Sequence, residues 1–167
     1  MGDRFSELNE KTTVPLDDDY LALVDTSGAD DTKFIKTALF QKKTPRPILL
    51  ALSDETTVLD PASTTVPVMT IRMPYKFVLT GVRASLTTAG TGAALITVDI
   101  HESGTTVLST KITIDATEKT SETAATPPVI SDSSLANDSL IELFLDVRDT
   151  DNVATGLKVT LLGHEST

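Results

Sequence analysis

The stretch Ile141-Glu142-Leu143-Phe144-Leu145-Asp146-Val147-Arg148 places aliphatic residues at every odd position and Glu, Phe, Asp and Arg at the even ones. Successive side chains of a strand point to opposite faces, so this spacing predicts a half-buried strand with Ile141, Leu143, Leu145 and Val147 toward a core. The same period of two returns in Ile96, Val98 and Ile100 around Thr97 and Asp99, and in Leu157, Val159 and Leu161 around Lys158 and Thr160. Working outward, strands are expected near 48–53, 57–60, 66–72, 76–87, 94–101, 106–114, 139–148 and 155–163. Between them lie turn-forming clusters such as Met73-Pro74, Ala89-Gly90-Thr91-Gly92, Ser103-Gly104 and Asp149-Thr150-Asp151-Asn152. About eight short strands so spaced predict an all-β fold, a jelly-roll-like β-sandwich. The polar segment 115–138 is expected to cross between sheets, and Gly81 to mark a bulge in the longest strand.

Composition narrows the function classes. The 167 residues suffice for one well-buried domain with a segment left over. Aromatics make up only 4% and Trp is absent, so the core must be aliphatic. The 28 threonines suit the exposed faces of strands, where a branched Cβ is well accommodated. A formal charge of -10 argues against nucleic acid, whose binding runs on clustered cations that neutralise phosphate. A membrane partner is not expected either, because no apolar run approaches the roughly 20 residues of a spanning helix. Without cysteine, neither disulfides nor a thiolate-zinc site can contribute.

Three segments differ in character. Residues 1–40 read as an attachment arm, 41–47 as a linker held extended by Pro45 and Pro47, and 48–167 as the sandwich domain. In the arm, Tyr20-Leu21-Ala22-Leu23-Val24 and Thr32-Lys33-Phe34-Ile35 flank the turn sequence Ser27-Gly28-Ala29-Asp30-Asp31, which predicts a small hairpin. Thr37 is placed to cap a helical turn through Ala38, Leu39 and Phe40. A lone hairpin is marginal in water. Leu21, Leu23, Phe34 and Leu39 therefore need a partner to cover them, and they are the candidate partner-binding residues of the arm.

No set of residues expected to carry out chemistry stands out, and the chain is not expected to be an enzyme. His101 and His164 fall in neither a metal-ligand nor a metalloprotease spacing, and no Gly-x-Ser-x-Gly elbow occurs. Asp17 to Asp19, the group Asp25, Asp30 and Asp31, and the group Asp146, Asp149 and Asp151 offer oxygens to a hard cation. None has the alternating carboxylates and distal Glu of a calcium-binding helix-loop-helix, so strand-flanking and turn roles are expected, with no metal or cofactor. Phe144 points away from the core beside Glu142 and Asp146, which with an outward Leu162 suits a subunit interface; shielding by a neighbouring loop is the alternative.

The arm, with Thr12-Thr13-Val14-Pro15-Leu16-Asp17-Asp18-Asp19-Tyr20-Leu21-Ala22-Leu23-Val24-Asp25 followed by Lys33-Phe34-Ile35 and Ala38-Leu39, is similar to the opening segment of many tailed-bacteriophage fibre and virion proteins. Leu52-Ser53-Asp54-Glu55-Thr56-Thr57, Arg72-Met73-Pro74-Tyr75, Val82-Arg83-Ala84-Ser85-Leu86 and Gly156-Leu157-Lys158-Val159-Thr160-Leu161 resemble a module of phage particle components. The resemblance implies a structural virion protein that attaches through its N-terminal end. A chain of this size has no room for a fibre shaft. That favours a capsid decoration (cement) protein, a homotrimer on the capsid surface, assembled in the host cytoplasm, with the major capsid protein or other virion proteins as partners. A short tail or head fibre or adaptor, and a carbohydrate-binding β-sandwich module, are the alternatives.

Overall fold

The computed structural model describes the backbone of residues 20–24 and 32–36, and residues 44–60 and 62–166 in full. The chain divides into two compact units, Met1–Lys43 and Thr44–Thr167. In the first, β1 (Tyr20–Val24) and β2 (Thr32–Lys36) pair antiparallel, with Tyr20 opposite Lys36 and Val24 opposite Thr32. The expected helical turn at 37–40, and Leu39 with it, lies outside the described residues.

The second unit is a two-layer β-sandwich. In chain order its strands are β3 (Ile48–Ala51), β4 (Met69–Arg72), β5 (Phe77–Ser85), β6 (Ile96–Glu102), β7 (Thr105–Thr106), β8 (Leu108–Thr110), β9 (Ile112–Ile114), β10 (Val129–Ile130), β11 (Ser134–Leu135), β12 (Leu140–Val147) and β13 (Lys158–Glu165). One sheet runs β11-β5-β13-β3 and the other β4-β12-β6-β7, with β9 also pairing β6. The pairings are antiparallel and nested: β3 with β13, β4 with β12, β5 with β11, β6 with β7 and β9. A long hairpin rolled up in this way, its successive arms passing to alternate sheets, is a jelly roll.

Aliphatic side chains fill the space between the sheets, as the low aromatic content requires. Leu79, Ile100, Ile112, Ile114, Leu135, Ile141, Leu143, Leu157 and Leu161 are fully buried, with Phe77 and Met73 among them. Each contributes about 1.5–3 kcal/mol of apolar burial. The alternation in Ile141, Leu143 and Leu145 and in Val159 and Leu161 is the alternation of the inner face. Val147, expected inward, is exposed because Asp146 is an extra residue on β12 between the partners of Val98 and Thr97.

The strand boundaries depart from expectation in three places. The run near 57–60 shrinks to a single bridge between Val58 and Thr155. The segment 106–114 breaks into β7, β8 and β9, because β8 turns aside to pair with β10. The polar stretch 115–138 holds a 3-10 turn at Ser121–Thr123 and the strands β10 and β11. Two-residue strands have no period to read, and here the lone buried Leu135 anchors β11 against β5.

The expected irregularity at Gly81 is present. On β13, Leu162 lies opposite Gly81 but Gly163 lies opposite Leu79, so Thr80 is an extra residue on β5. Its hydroxyl donates to the Leu162 carbonyl at 3.1 Å. Next to the bulge, Gly163 lies so close to β5 that a Cβ there would overlap the Val78 carbonyl oxygen and approach Phe77 Cε1 to 2.5 Å. Gly163→Ala is expected to destabilise the fold by about 1–3 kcal/mol through overpacking, read as a lower urea midpoint at unchanged slope. An unchanged midpoint would show that β5 and β13 have slack at this crossing.

Candidate partner-binding surfaces

The register of the hairpin decides which arm residues share a face. Leu21 lies opposite Ile35 and Leu23 opposite Lys33, while Ala22 lies opposite Phe34, Tyr20 opposite Lys36 and Val24 opposite Thr32. Directly opposed residues share a face and neighbours alternate. Leu21, Leu23 and Ile35 thus occupy one face, and Tyr20, Ala22, Val24 and Phe34 the other. Of the candidate arm residues, Leu21 and Leu23 are brought together and Phe34 is set on the opposite side.

Phe144 corrects the expectation of an outward interface residue. It does lie on the outer face of β12, opposite Asp99 of β6, yet it is only 5% exposed. The His101 ring packs against it at a tilt of 43°, with centroids 4.5 Å apart. Its cover comes from the neighbouring strand, whose identity no periodicity within 141–148 reveals. Leu162 is half-buried on the outer face of the other sheet, where it leans over Gly81.

Around Phe144 lies a polar cluster that sequence inspection missed. Asp99 is buried, and its Oδ1 accepts from the Thr106 hydroxyl at 2.6 Å and the Ile100 N–H at 2.8 Å. Its Oδ2 faces His101 Nε2 at 3.1 Å and Lys111 Nζ at 3.0 Å, and Lys111 also pairs with Asp146. Burial pushes the Asp99 carboxyl up, but the bonds from Thr106, Lys111, His101 and the Ile100 amide outweigh it and hold the group below its ordinary value. The Asp146 carboxylate, aided by Asp99, raises Lys111. His101 and Thr106 both bond to the one carboxylate and not to each other, so the imidazole is not placed to take the hydroxyl's proton. The only available sign in the sequence was an Asp at a position flanked by buried aliphatics.

The outer face of the β11-β5-β13-β3 sheet carries a groove of about 580 Å³. Gly81 and Leu162 contribute to its floor, and Pro127, Pro128, Val129 and Ile130 contribute a wall. At its rim Arg83 and Glu122 pair at 2.8 Å. Since those charges satisfy each other, the groove offers shape and apolar contact. On the edge strand of the same sheet, Leu49 is 71% exposed. Tyr75, in contrast, packs locally, 6.2 Å from the Phe77 ring and under the Arg46 guanidinium. Arg46 also pairs with Glu165, and its amide donates to the Gly163 carbonyl, so the end of the expected linker belongs to the sandwich.

The remaining candidates separate. Asp17 to Asp19, Asp25, Asp30 and Asp31 lie outside the described residues. Asp146 belongs to the Lys111 cluster, whereas Asp149 and Asp151 face the 90–92 loop. His164 Nδ1 lies 3.0 Å from the Glu165 carbonyl. Among the described residues no cluster of three or more His, Cys, Asp or Glu side chains is arranged to hold a metal ion, and no helix is long and apolar enough to cross a membrane.

No protein-family model and no curated protein matches the sequence. Among solved structures, the chain is similar to the infectious bursal disease virus VP2 subviral particle, at 10% identity and a TM-score of 0.39. The match covers 87% of this chain and 38% of that one, so the chain spans well under half the length of that protein.

The Asp99 cluster sets a pH window. A carboxyl held below its ordinary value of 3.8 contributes stability above that pH and loses it as the pH falls through the lowered value. Lys111, raised above 10.5, contributes below that pH and loses its share as the pH rises past it, a share that solvent screens because the side chain is 42% exposed. Asp99→Asn is expected to lower stability by about 1–3 kcal/mol at about pH 7, with the gap to the native chain closing toward about pH 3. Urea midpoints of both proteins at the two pH values check this, and a gap independent of pH would remove the charge from the explanation.

Proposed function

We propose that this chain is a non-enzymatic structural protein of a virus particle, specifically a decoration (cement) protein of a tailed-phage head. In this role it binds the major capsid protein on the outer surface of the shell and acts as a homotrimer. The observation that carries the proposal is a hairpin in one compact unit of the chain whose register puts apolar residues on both faces, while the other unit is a jelly roll with its own core. A body that completes its own core needs no partner to fold. An arm with two apolar faces gains most by ordering against another protein. The similarity of the arm and sandwich sequences to phage particle components supports the same role. Every oxygen lone pair of Asp99, the most buried carboxylate beside a histidine, is already engaged in the sandwich's own structure, which fits a packing role.

The test uses shells of the phage that encodes the chain, assembled without it. The full chain is expected to add to them in hundreds of copies and to raise their resistance to heat. Removal of residues 1–43 is expected to abolish addition while circular dichroism still reports a folded β body. A handful of copies per particle would point instead to a fibre or adaptor. Competable hits on a glycan array without shell binding would point to a carbohydrate-binding module.

A further inference from the structure

The loops that follow β5 and β12 meet at one place in the sandwich. Backbone bonds from Thr87 and Thr88 to Thr155, and from Thr155 back to Thr88, clamp the first loop onto residues 149–155. Gly90 and Gly92 make the contact close: a Cβ on Gly90 would stand 2.7 Å from Asp149 Cβ, and one on Gly92 3.3 Å from Asp151 Oδ1. This cradle encloses two carboxylates.

Each carboxylate is half satisfied. Asp149 is 2% exposed, and its Oδ2 accepts from the Val153 and Ala154 amides at 2.7 and 3.1 Å. Asp151 Oδ2 accepts from the Thr91 amide at 2.6 Å and from the Thr91 hydroxyl. The other oxygen of each, Oδ1, is buried without a partner, and the two carboxyl groups lie within hydrogen-bonding reach of each other. The Thr155 hydroxyl, on a residue 7% exposed, is also buried and unpartnered. Among the described residues these are the three buried side-chain polar atoms without a partner, and all three fall within 149–155.

Two carboxylate oxygens cannot satisfy each other without a positive charge or a proton between them. Among the described residues neither Asp149 nor Asp151 forms an ion pair with Lys or Arg. Arg148, their neighbour in the chain, is turned toward Asp60, the Leu59 carbonyl and Asn152. The donors are all hard oxygens on loops, with neither imidazole nor thiolate. That set suits calcium, which takes six to eight oxygens in a tolerant geometry and fills its remaining positions with water or carbonyls.

We infer that Asp149 Oδ1 and Asp151 Oδ1 are the protein ligands of a calcium site that ties the 88–92 loop to the 149–155 loop. The site is independent of any attachment role, since it lies wholly within the sandwich unit. Because its ligands are assembled only in the folded chain, calcium stabilises the native state by mass action.

The experiment titrates calcium chloride into the full chain by calorimetry at about pH 7 and follows thermal unfolding in calcium, in magnesium at equal ionic strength and in EDTA. One saturable binding event is expected, with a rise in melting temperature of about 3 °C or more in millimolar calcium and a smaller one in magnesium. Asp151→Asn should abolish both responses, while Asp60→Asn should keep them and so exclude a general effect of the chain's negative charge. If Asp151→Asn fails to fold, Asp149→Asn, whose amide oxygen can still accept from the Val153 and Ala154 N–H groups, should abolish calcium binding in its place. Absence of saturable heat up to about 10 mM calcium would overturn the site, as would equal responses in the native chain and Asp151→Asn. So would a rise in native stability on acidification from about pH 7 to about pH 5 that Asp151→Asn removes, since the carboxylates would then be sharing a proton.

Discussion

The pairing of β13 on both of its edges is the constraint on which the rest of the sandwich depends. It bonds to β3 from Leu161 to Lys158 on one side and to β5 from Glu165 to Lys158 on the other, and so joins the last strand to the first strand of the sandwich. Without it the β11-β5-β13-β3 sheet has no centre, and the inner faces of Phe77, Leu79 and Val82 have nothing continuous beside them. Pairings between such distant segments incur the cost of loop closure before burial rewards them. The close approach at Gly163 and the extra residue at Thr80 are local adjustments that let one strand serve two neighbours.

An acidic chain must also place its carboxylates, and this one does so in two contrasting ways. Asp99 is buried with both oxygens engaged, by a hydroxyl, an amide, an imidazole and an ammonium. The charge is compensated within the sheet, and the cluster shields Phe144. Asp149 and Asp151 have equally good backbone partners on one oxygen each and none on the other. The first arrangement is complete in itself, whereas the second leaves one oxygen of each carboxylate unpartnered. The difference lies in whether a cation passes alongside: Lys111, just before β9, reaches Asp99, while among the described residues no Lys or Arg pairs with Asp149 or Asp151.

The strands with strict alternation were legible up to the point where a bulge breaks the period, as it does before Val147. Ile141, Leu143 and Leu145 face inward because their period of two matches a sheet with one buried face. β10 and β11 were not legible, since two residues carry no period and Leu135 becomes a core residue only once β5 lies beside it. In the candidate surfaces, the expectation that Leu21, Leu23 and Phe34 take a partner came from the sequence pattern of the arm, but their division between two faces required the register with Lys33 and Ile35. Phe144 was assigned correctly to the outer face, but its cover was expected from a subunit or a neighbouring loop and comes instead from His101, on a strand some forty residues earlier in the chain.

By itself the sequence determined the all-β class, the aliphatic core, the inward set of the long strands and the separate character of the N-terminal segment. Each of these follows from local periodicity or composition, which act within a few residues. Only the tertiary structure decided the jelly-roll nesting, the burial of Phe144, the Asp99 cluster and the meeting of Asp149, Asp151 and Thr155 with the glycine loop. Those features depend on which strand lies beside which. That choice is made by closing the whole core at once, a balance to which every segment contributes and which no single stretch encodes.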